Sequence, residues 1–193
     1  MGVYGGAFDP PHQAHRVLAQ TALQQLALDV LHVVPTGRAW HKERDLLAFA
    51  HRFTMARLAF EGLGQVVMDE REGSRPGASY TIDTLTELQV QYPQARLFLI
   101  IGEDQARSFR SWHRSPEIMK FATICVAPRA SSVSVCGPLD STSWWMDGWI
   151  RLQTPSMELS ATELRAQLVR GVPVVPLVCE PVARYIADHH LYQ

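Results

Sequence analysis

Five short apolar runs, separated by segments of helical periodicity, constrain the fold of this chain more than any other feature. The runs lie at residues 1–5, 30–35, 65–69, 97–101 and 122–127. The run at 97–101 is apolar throughout, which is typical of a strand covered on both faces. Between the runs, apolar residues recur three or four positions apart, which predicts three helices that each have one apolar face. The apolar faces consist of Leu18, Ala22 and Leu26, of Phe49, Phe53, Ala56 and Phe60, and of Ile82, Leu85 and Leu88. The alternation predicts an α/β fold: a doubly wound parallel sheet between helices, in three α/β/α layers.

The ends of two predicted strands indicate where a ligand would bind. One common doubly wound sheet has the strand order 3-2-1-4-5, and its ligands bind beyond the carboxyl ends of the neighbouring first and fourth strands. The first strand ends at Gly5 and Gly6, and the fourth ends at Gly102, followed by Glu103 and Asp104. We therefore expect these two loops to face each other across one crevice. Residues 102–104 are also compatible with a plain turn and a helix N-cap.

The first of these loops carries groups that suit a phosphate. Gly5 and Gly6 have no side chains to keep an anion from the backbone, and the helix that follows offers free N–H groups and a positive dipole end. His12 and His15, three residues apart, fall on one face of that helix. This order of features predicts a site for a nucleoside polyphosphate.

Residues 160–165 form a second candidate phosphate site. Ser160 and Glu163 fit an S-x-x-E capping box, which requires no function. Thr162 and Arg165 share the outward face of the same helix, where a hydroxyl and a guanidinium in the first turn can bind an anion. Both interpretations remain open from this segment alone.

Composition narrows the class of protein. The formal net charge of −1 does not favour a nucleic-acid or membrane-surface binder. No apolar run approaches the roughly 18 residues of a membrane span, and the chain begins with strand-like sequence rather than a signal peptide. Its three cysteines lack C-x-x-C spacing, which is unlike a disulfide scaffold or a cysteine zinc site. We expect a cytoplasmic single domain over residues 1–193, with residues 155–193 as a C-terminal helical part.

The motifs resemble those of a known family. The first motif, G-G-x-F-D-P-x-H-x-x-H, resembles the signature of the nucleotidylyltransferase superfamily, and residues 159–165 resemble its second motif, ISSTxxR. Residues 77–85 resemble the PSYTxxTL segment of bacterial nicotinate mononucleotide adenylyltransferases, and Gly102 and Asp104 with Trp112 resemble their GxD…W arrangement. Pro35 with His41 and Lys42 is similar to their VPxxxxPHK loop. The likeness extends to residues 180–192.

The resemblance implies a reaction and a set of site residues. The family transfers the adenylyl group of ATP to nicotinate mononucleotide, with Mg²⁺ carried by the ATP rather than by protein ligands. By resemblance, ATP would contact Gly5, Gly6, Ala7, Phe8, His12, His15, Gly102, Asp104, Ser160, Thr162 and Arg165. Nicotinate mononucleotide would contact His41, Lys42, Tyr80, Thr81, Trp112 and Arg129, and the catalytic residues would be His12, His15, Lys42 and Arg165. Neither nucleic acid nor membrane is an expected partner, and a homo-oligomer stays open.

Simpler interpretations exist for the acceptor residues. Trp112 fits either a ring stacked on a pyridine or a half-buried core aromatic, and Tyr80 with Thr81 fits either a carboxylate site at a helix start or an N-cap. His41 and Lys42 fit either phosphate ligands or a solvated loop. Ala7, where the family has Thr or Ser, removes one hydroxyl contact. Two rival functions follow: the same transfer to another acceptor, such as nicotinamide mononucleotide or phosphopantetheine, and a nucleotide sensor without catalysis.

Overall fold

A six-stranded parallel sheet organises the described part of the chain. The computed structural model describes residues 1–38, 46–128, 146–155, 157 and 159–193. Within them the strand order is β3-β2-β1-β4-β5-β6, and every neighbouring pair is parallel. The strands are β1 (Gly2–Gly6), β2 (Leu31–Pro35), β3 (Val66–Met68), β4 (Leu97–Gly102), β5 (Ala122–Ala127) and β6 (Ile150–Arg151). The direction of winding reverses between β1 and β4, so a crevice is expected beyond their carboxyl ends.

Helices cover both faces of this sheet. They are α1 (Gln13–Gln25), α2 (Phe49–Phe60), α3 (Arg71–Ser74), α4 (Thr81–Gln91), α5 (Glu103–Ser108), α6 (Ser115–Phe121), α7 (Ala161–Val169) and α8 (Glu180–Asp188), with a 3₁₀ turn at Phe109–Ser111. One core lies between the sheet and α1, α2, α7 and α8. A second core lies between the opposite face and α4, α5 and α6. Successive strand residues point to opposite faces, so Val3 enters one core and Tyr4 the other.

The structure confirms three sequence predictions, namely the α/β class, the three layers and the order of the first five strands. Strand β6 was missed, because its two residues, Ile150 and Arg151, are recognisable only by their pairing with β5. The predicted apolar face of α2 is partly wrong. Phe49 and Phe53 are only half-buried, whereas Arg52 is buried in phase with Ala56 and Phe60. None of the described helices is both long and apolar enough to cross a membrane.

Candidate active site

A cavity of about 900 Å³ opens at the carboxyl ends of β1 and β4. It brings together the two motif loops that the predicted topology placed on opposite sides of one crevice. Its lining includes every predicted site residue that the structure describes: Gly5, Gly6, Ala7, Phe8, His12, His15, Tyr80, Thr81, Gly102, Asp104, Trp112, Ser160, Thr162 and Arg165. His41, Lys42 and Arg129 lie outside the described residues.

The two histidines of the first motif are stacked at the start of α1. Their ring centroids are 3.7 Å apart and their planes are inclined by 28°. His12 occupies the N-cap position, and its backbone N–H donates to Nδ1 of His15 at 3.1 Å. Because Nδ1 accepts this hydrogen bond, the neutral ring of His15 carries its proton on Nε2. His15 therefore has the tautomer that donates a hydrogen bond from Nε2.

His12 is held in a neutral form by its surroundings. The residue is only 8% exposed, and burial lowers its pKa to about 4. Its Nδ1 atom is buried and makes no hydrogen bond to any residue that the structure describes. A buried polar atom without a partner is costly, and here it belongs to a residue that lines the cavity.

The glycine loop is shaped mainly by contacts within the protein. The Gly6 carbonyl accepts a hydrogen bond from the Thr36 N–H at 2.8 Å. A Cβ on Gly6 would lie 2.9 Å from the buried ring of Phe8, whereas one on Gly5 would have only the Val34 carbonyl oxygen nearby, at 3.9 Å. Phe8 itself has φ of +47°, a region that bulky residues seldom adopt. Close packing under Phe8 is therefore a reason for glycine at position 6 that the sequence did not reveal.

The second motif is tied directly to the first. Arg165 donates to the Asp9 backbone carbonyl at 2.8 Å and to the Thr162 hydroxyl at 3.0 Å. Thr162 and Arg165 thus share one face of α7, as their spacing predicts. Ser160 occupies the N-cap of α7 without a side-chain capping hydrogen bond, so the capping-box interpretation fails. Near the C-terminus, the Tyr192 hydroxyl donates to the Asp9 carboxylate at 2.5 Å.

Aromatic rings line the other end of the cavity. Tyr80 immediately precedes α4, which begins at Thr81, and makes no side-chain capping hydrogen bond. Its ring lies 4.3 Å from the ring of His113, and Trp112 beside them is half-buried against Phe109. The sequence did not single out His113, although it directly follows Trp112. This end of the cavity combines flat apolar surfaces with the first turn of a helix.

Two buried charged residues support the loops around the cavity, and the sequence analysis overlooked both. Glu72 is 8% exposed and accepts a hydrogen bond from the Thr84 hydroxyl at 2.8 Å. Burial raises its pKa, against the lowering effect of hydrogen bonds that include those from Thr84 and the Gly37 backbone. Arg52 is 1% exposed and donates to backbone carbonyls. The burial of Arg52 could have been inferred from its spacing, because Arg52 is in phase with the buried residues Ala56 and Phe60 of α2.

The described residues contain no group of three or more histidine, cysteine, aspartate or glutamate side chains that could hold a metal ion. The cavity lining combines the donors His12, His15, Thr162 and Arg165 with five acidic residues, namely Asp9, Glu72, Glu103, Asp104 and Glu163. The donor side chains of His12, His15, Thr162 and Arg165 suit an anionic ligand with several oxygen atoms.

Known proteins are similar to this chain over most or all of its length. Residues 3–167 match the family described as Cytidylyltransferase-like. A protein of Albidiferax ferrireducens named "Probable nicotinate-nucleotide adenylyltransferase" is 51% identical over 193 residues, which cover all of this chain and 98% of the relative. A protein of Methylibium petroleiphilum with the same name is 43% identical over 196 residues, which cover all of this chain and 92% of that relative.

Solved structures share the fold at low sequence identity. A Plasmodium falciparum nicotinic acid mononucleotide adenylyltransferase complexed with NaAD superposes with a TM-score of 0.81 at 18% identity, covering 99% of this chain and 96% of that one. The same enzyme complexed with APC gives a TM-score of 0.79, also at 18% identity and with the same coverage.

Proposed function

Because the chain belongs to the Cytidylyltransferase-like family and to the nicotinate-nucleotide adenylyltransferases, we infer that it transfers the adenylyl group of ATP to nicotinate mononucleotide. The products are nicotinate adenine dinucleotide and pyrophosphate, which makes this a step in NAD biosynthesis. One observation carries the proposal: the stacked His12–His15 pair and the Thr162–Arg165 pair line the same cavity, 150 residues apart in the chain.

The proposed reaction is an in-line attack by the phosphate of the mononucleotide on the α-phosphorus of ATP. A phosphate oxygen forms the new P–O bond while the bond to pyrophosphate breaks. The acceptor is already a nucleophile, so no covalent enzyme intermediate is required. Catalysis then depends on positioning and on stabilising charge at the transferring phosphorus. Nε2–H of His15 is suited to donate to an oxygen of that phosphoryl group, and His12 would bind beside it.

The second motif suits the leaving group. Ser160, Thr162 and Arg165 lie at the start of α7, where the helix dipole and the guanidinium favour negative charge. We assign the β and γ phosphates of ATP to these residues, together with Lys42. Mg²⁺ enters as part of the Mg-ATP substrate, since this ion is usually held mainly by substrate phosphates and water.

The aromatic end of the cavity suits the acceptor. The face of Trp112 can stack on a pyridine ring, and the positive charge of that ring adds a cation–π contribution of roughly 0.5–2 kcal/mol. The first turn of α4 at Tyr80 and Thr81 offers N–H groups to the nicotinate carboxylate. His41 and Arg129 complete the acceptor site in this proposal.

Pyrophosphate release from Mg-ATP and nicotinate mononucleotide tests the proposal. We expect His15→Ala to keep the fold and to lower kcat by roughly 10²–10³-fold, as is common when one donor to a developing charge is removed. His190→Asn is the control, because His190 is exposed, lies outside the residues that line the cavity, and has a φ of +49° that Asn tolerates. A folded His15→Ala variant with near-normal turnover would contradict the mechanism. ATP binding without turnover in the unmodified chain would favour a nucleotide sensor.

A further inference from the structure

Arg52 links three separate segments around the candidate active site. Its Nη1 donates to the Ala7 carbonyl at 3.0 Å, its Nη2 to the Gly37 carbonyl at 3.1 Å, and its Nε to the Leu47 carbonyl at 2.8 Å. Each guanidinium nitrogen therefore donates a hydrogen bond to a different segment of the backbone. Arg52 itself is not among the described residues that line the cavity.

The bond to Ala7 fixes the orientation of a peptide group in the first motif. The N–H and C=O of a planar trans peptide point in opposite directions. The Ala7 carbonyl points toward Arg52, outside the cavity lining, so the Phe8 N–H of the same peptide points to the opposite side. Ala7 and Phe8 both line the cavity. Arg52 thereby fixes the direction of a backbone donor in a loop that lines the cavity.

A similar constraint acts on the preceding peptide. The Gly6 carbonyl is bound by the Thr36 N–H, so the direction of the Ala7 N–H is fixed as well. Phe8 follows with a φ of +47°, and successive N–H groups next to a left-handed residue form a concavity that binds anions. Such a backbone is held only where its surroundings determine it. The buried Phe8 ring anchors one side of this loop, and the Arg52 guanidinium anchors the other.

The bond to Gly37 connects this loop to the segments around Tyr80 and Thr81, where the acceptor is proposed to bind. Gly37 is held on both sides, by Arg52 at its carbonyl and by Glu72 at its N–H. A Cβ on Gly37 would overlap the Glu72 backbone carbonyl, so the two chain segments are in close contact. Thr36, Glu72 and the α4 residues Thr81 and Thr84 all line the cavity. A shift of the backbone at Gly37 would therefore displace residues on both the phosphate side and the acceptor side of the cavity.

We propose that Arg52 is a positioning residue for adenylyl transfer, which holds the phosphate-binding backbone of the first motif in register with the loop after β2. The proposal rests on the proposed function. Lysine cannot replace Arg52, because a compact ammonium lacks the planar fork that reaches three carbonyls in fixed directions. Arg52 touches no substrate in this account and acts only through the backbone that it orients.

The test compares Arg52→Lys with Arg16→Lys in the full chain. Arg16 is a matched control, since its Nη1 also donates to two backbone carbonyls, those of Ala59 and Glu61, away from the cavity lining. We expect Arg52→Lys to lower kcat/KM for ATP by roughly 10–10²-fold, the scale of an ångström-sized misplacement. The KM for ATP should rise, and the increase in Tm on adding Mg-ATP should shrink. Arg16→Lys should leave the KM for ATP within about two-fold of the unmodified chain.

A purely structural role gives a different pattern. If Arg52 only stabilises the fold, Arg52→Lys reduces the amount of active protein and lowers the apparent kcat, while the KM for ATP and the ATP-induced rise in Tm stay unchanged. That result would overturn the proposal and leave the proposed function intact. An unmodified chain that released no pyrophosphate would overturn both.

A second pair of variants applies if Arg52→Lys does not fold. A Cβ on Gly37 would overlap the backbone carbonyl of Glu72, whereas a Cβ on Gly64 meets no atom within 4 Å. Gly37→Ala should therefore shift the Gly37 carbonyl that Arg52 holds. We expect Gly37→Ala to raise the KM for ATP and Gly64→Ala to leave it unchanged. Equal KM values for ATP in these two variants would overturn the proposal.

Discussion

Burial of His12 makes the stability of the free protein depend on pH. An unfolded histidine has a pKa of about 6.5, and burial lowers the pKa of folded His12 to about 4. As the pH falls from 6.5 to 4, the unfolded chain takes up a proton that folded His12 does not. The free energy of unfolding therefore decreases on acidification, by about 1.4 kcal/mol per pH unit and by roughly 3 kcal/mol in total at pH 4.

Urea unfolding at pH 7.5, 6, 5 and 4 measures this effect in the unmodified chain and in His12→Gln. Glutamine does not titrate, so the variant should lose roughly 3 kcal/mol less stability across the range than the unmodified chain. Asp69 also destabilises the fold on acidification. Burial raises its pKa, but hydrogen bonds from His32 and Arg71 outweigh burial and lower the pKa overall. This effect is common to both proteins and cancels. Parallel pH dependences in the two proteins would refute the reasoning.

Two further variants test contacts around the first motif. Tyr192→Phe removes the hydrogen bond to the buried Asp9 carboxylate. We expect the free energy of unfolding, measured in urea titrations, to fall by about 1.5–3 kcal/mol. An unchanged free energy of unfolding would contradict a stabilising role for this bond. Gly6→Ala places a methyl group 2.9 Å from the Phe8 ring, so the loop of the first motif must shift. Calorimetry should therefore show weaker binding of Mg-ATP. An unaltered affinity for Mg-ATP would contradict the claim that close packing under Phe8 shapes this loop.

The parts of the fold that depend on local pattern could be predicted from the sequence. Residues 97–101 are apolar throughout because helices cover both faces of β4, and this alone marks a central strand. Once five such runs alternate with helices, few strand orders remain. The order then brings Gly6 and Gly102 to the same edge of the sheet without any knowledge of side-chain contacts.

The parts that depend on distant partners could not be predicted. The sequence analysis did not single out Arg52, because its three partners, the backbone carbonyls of Ala7, Gly37 and Leu47, lie in other segments of the chain. Glycine at position 6 was attributed to a ligand, whereas the structure shows that the ring of Phe8 occupies the space. In both cases the contacting residue depends on the conformation of a loop, and the periodicity of apolar residues does not predict loop conformations.

The identity of the acceptor is the central claim, and it is tested most directly by the mass of the product. The purified chain is supplied with Mg-ATP and, in parallel reactions, with nicotinate mononucleotide, nicotinamide mononucleotide or phosphopantetheine. The account predicts rapid formation of nicotinate adenine dinucleotide, with stoichiometric pyrophosphate, and a much lower kcat/KM for the other two acceptors. Equal or greater kcat/KM with nicotinamide mononucleotide would contradict a carboxylate site at Tyr80 and Thr81, and turnover with phosphopantetheine alone would contradict the assigned reaction.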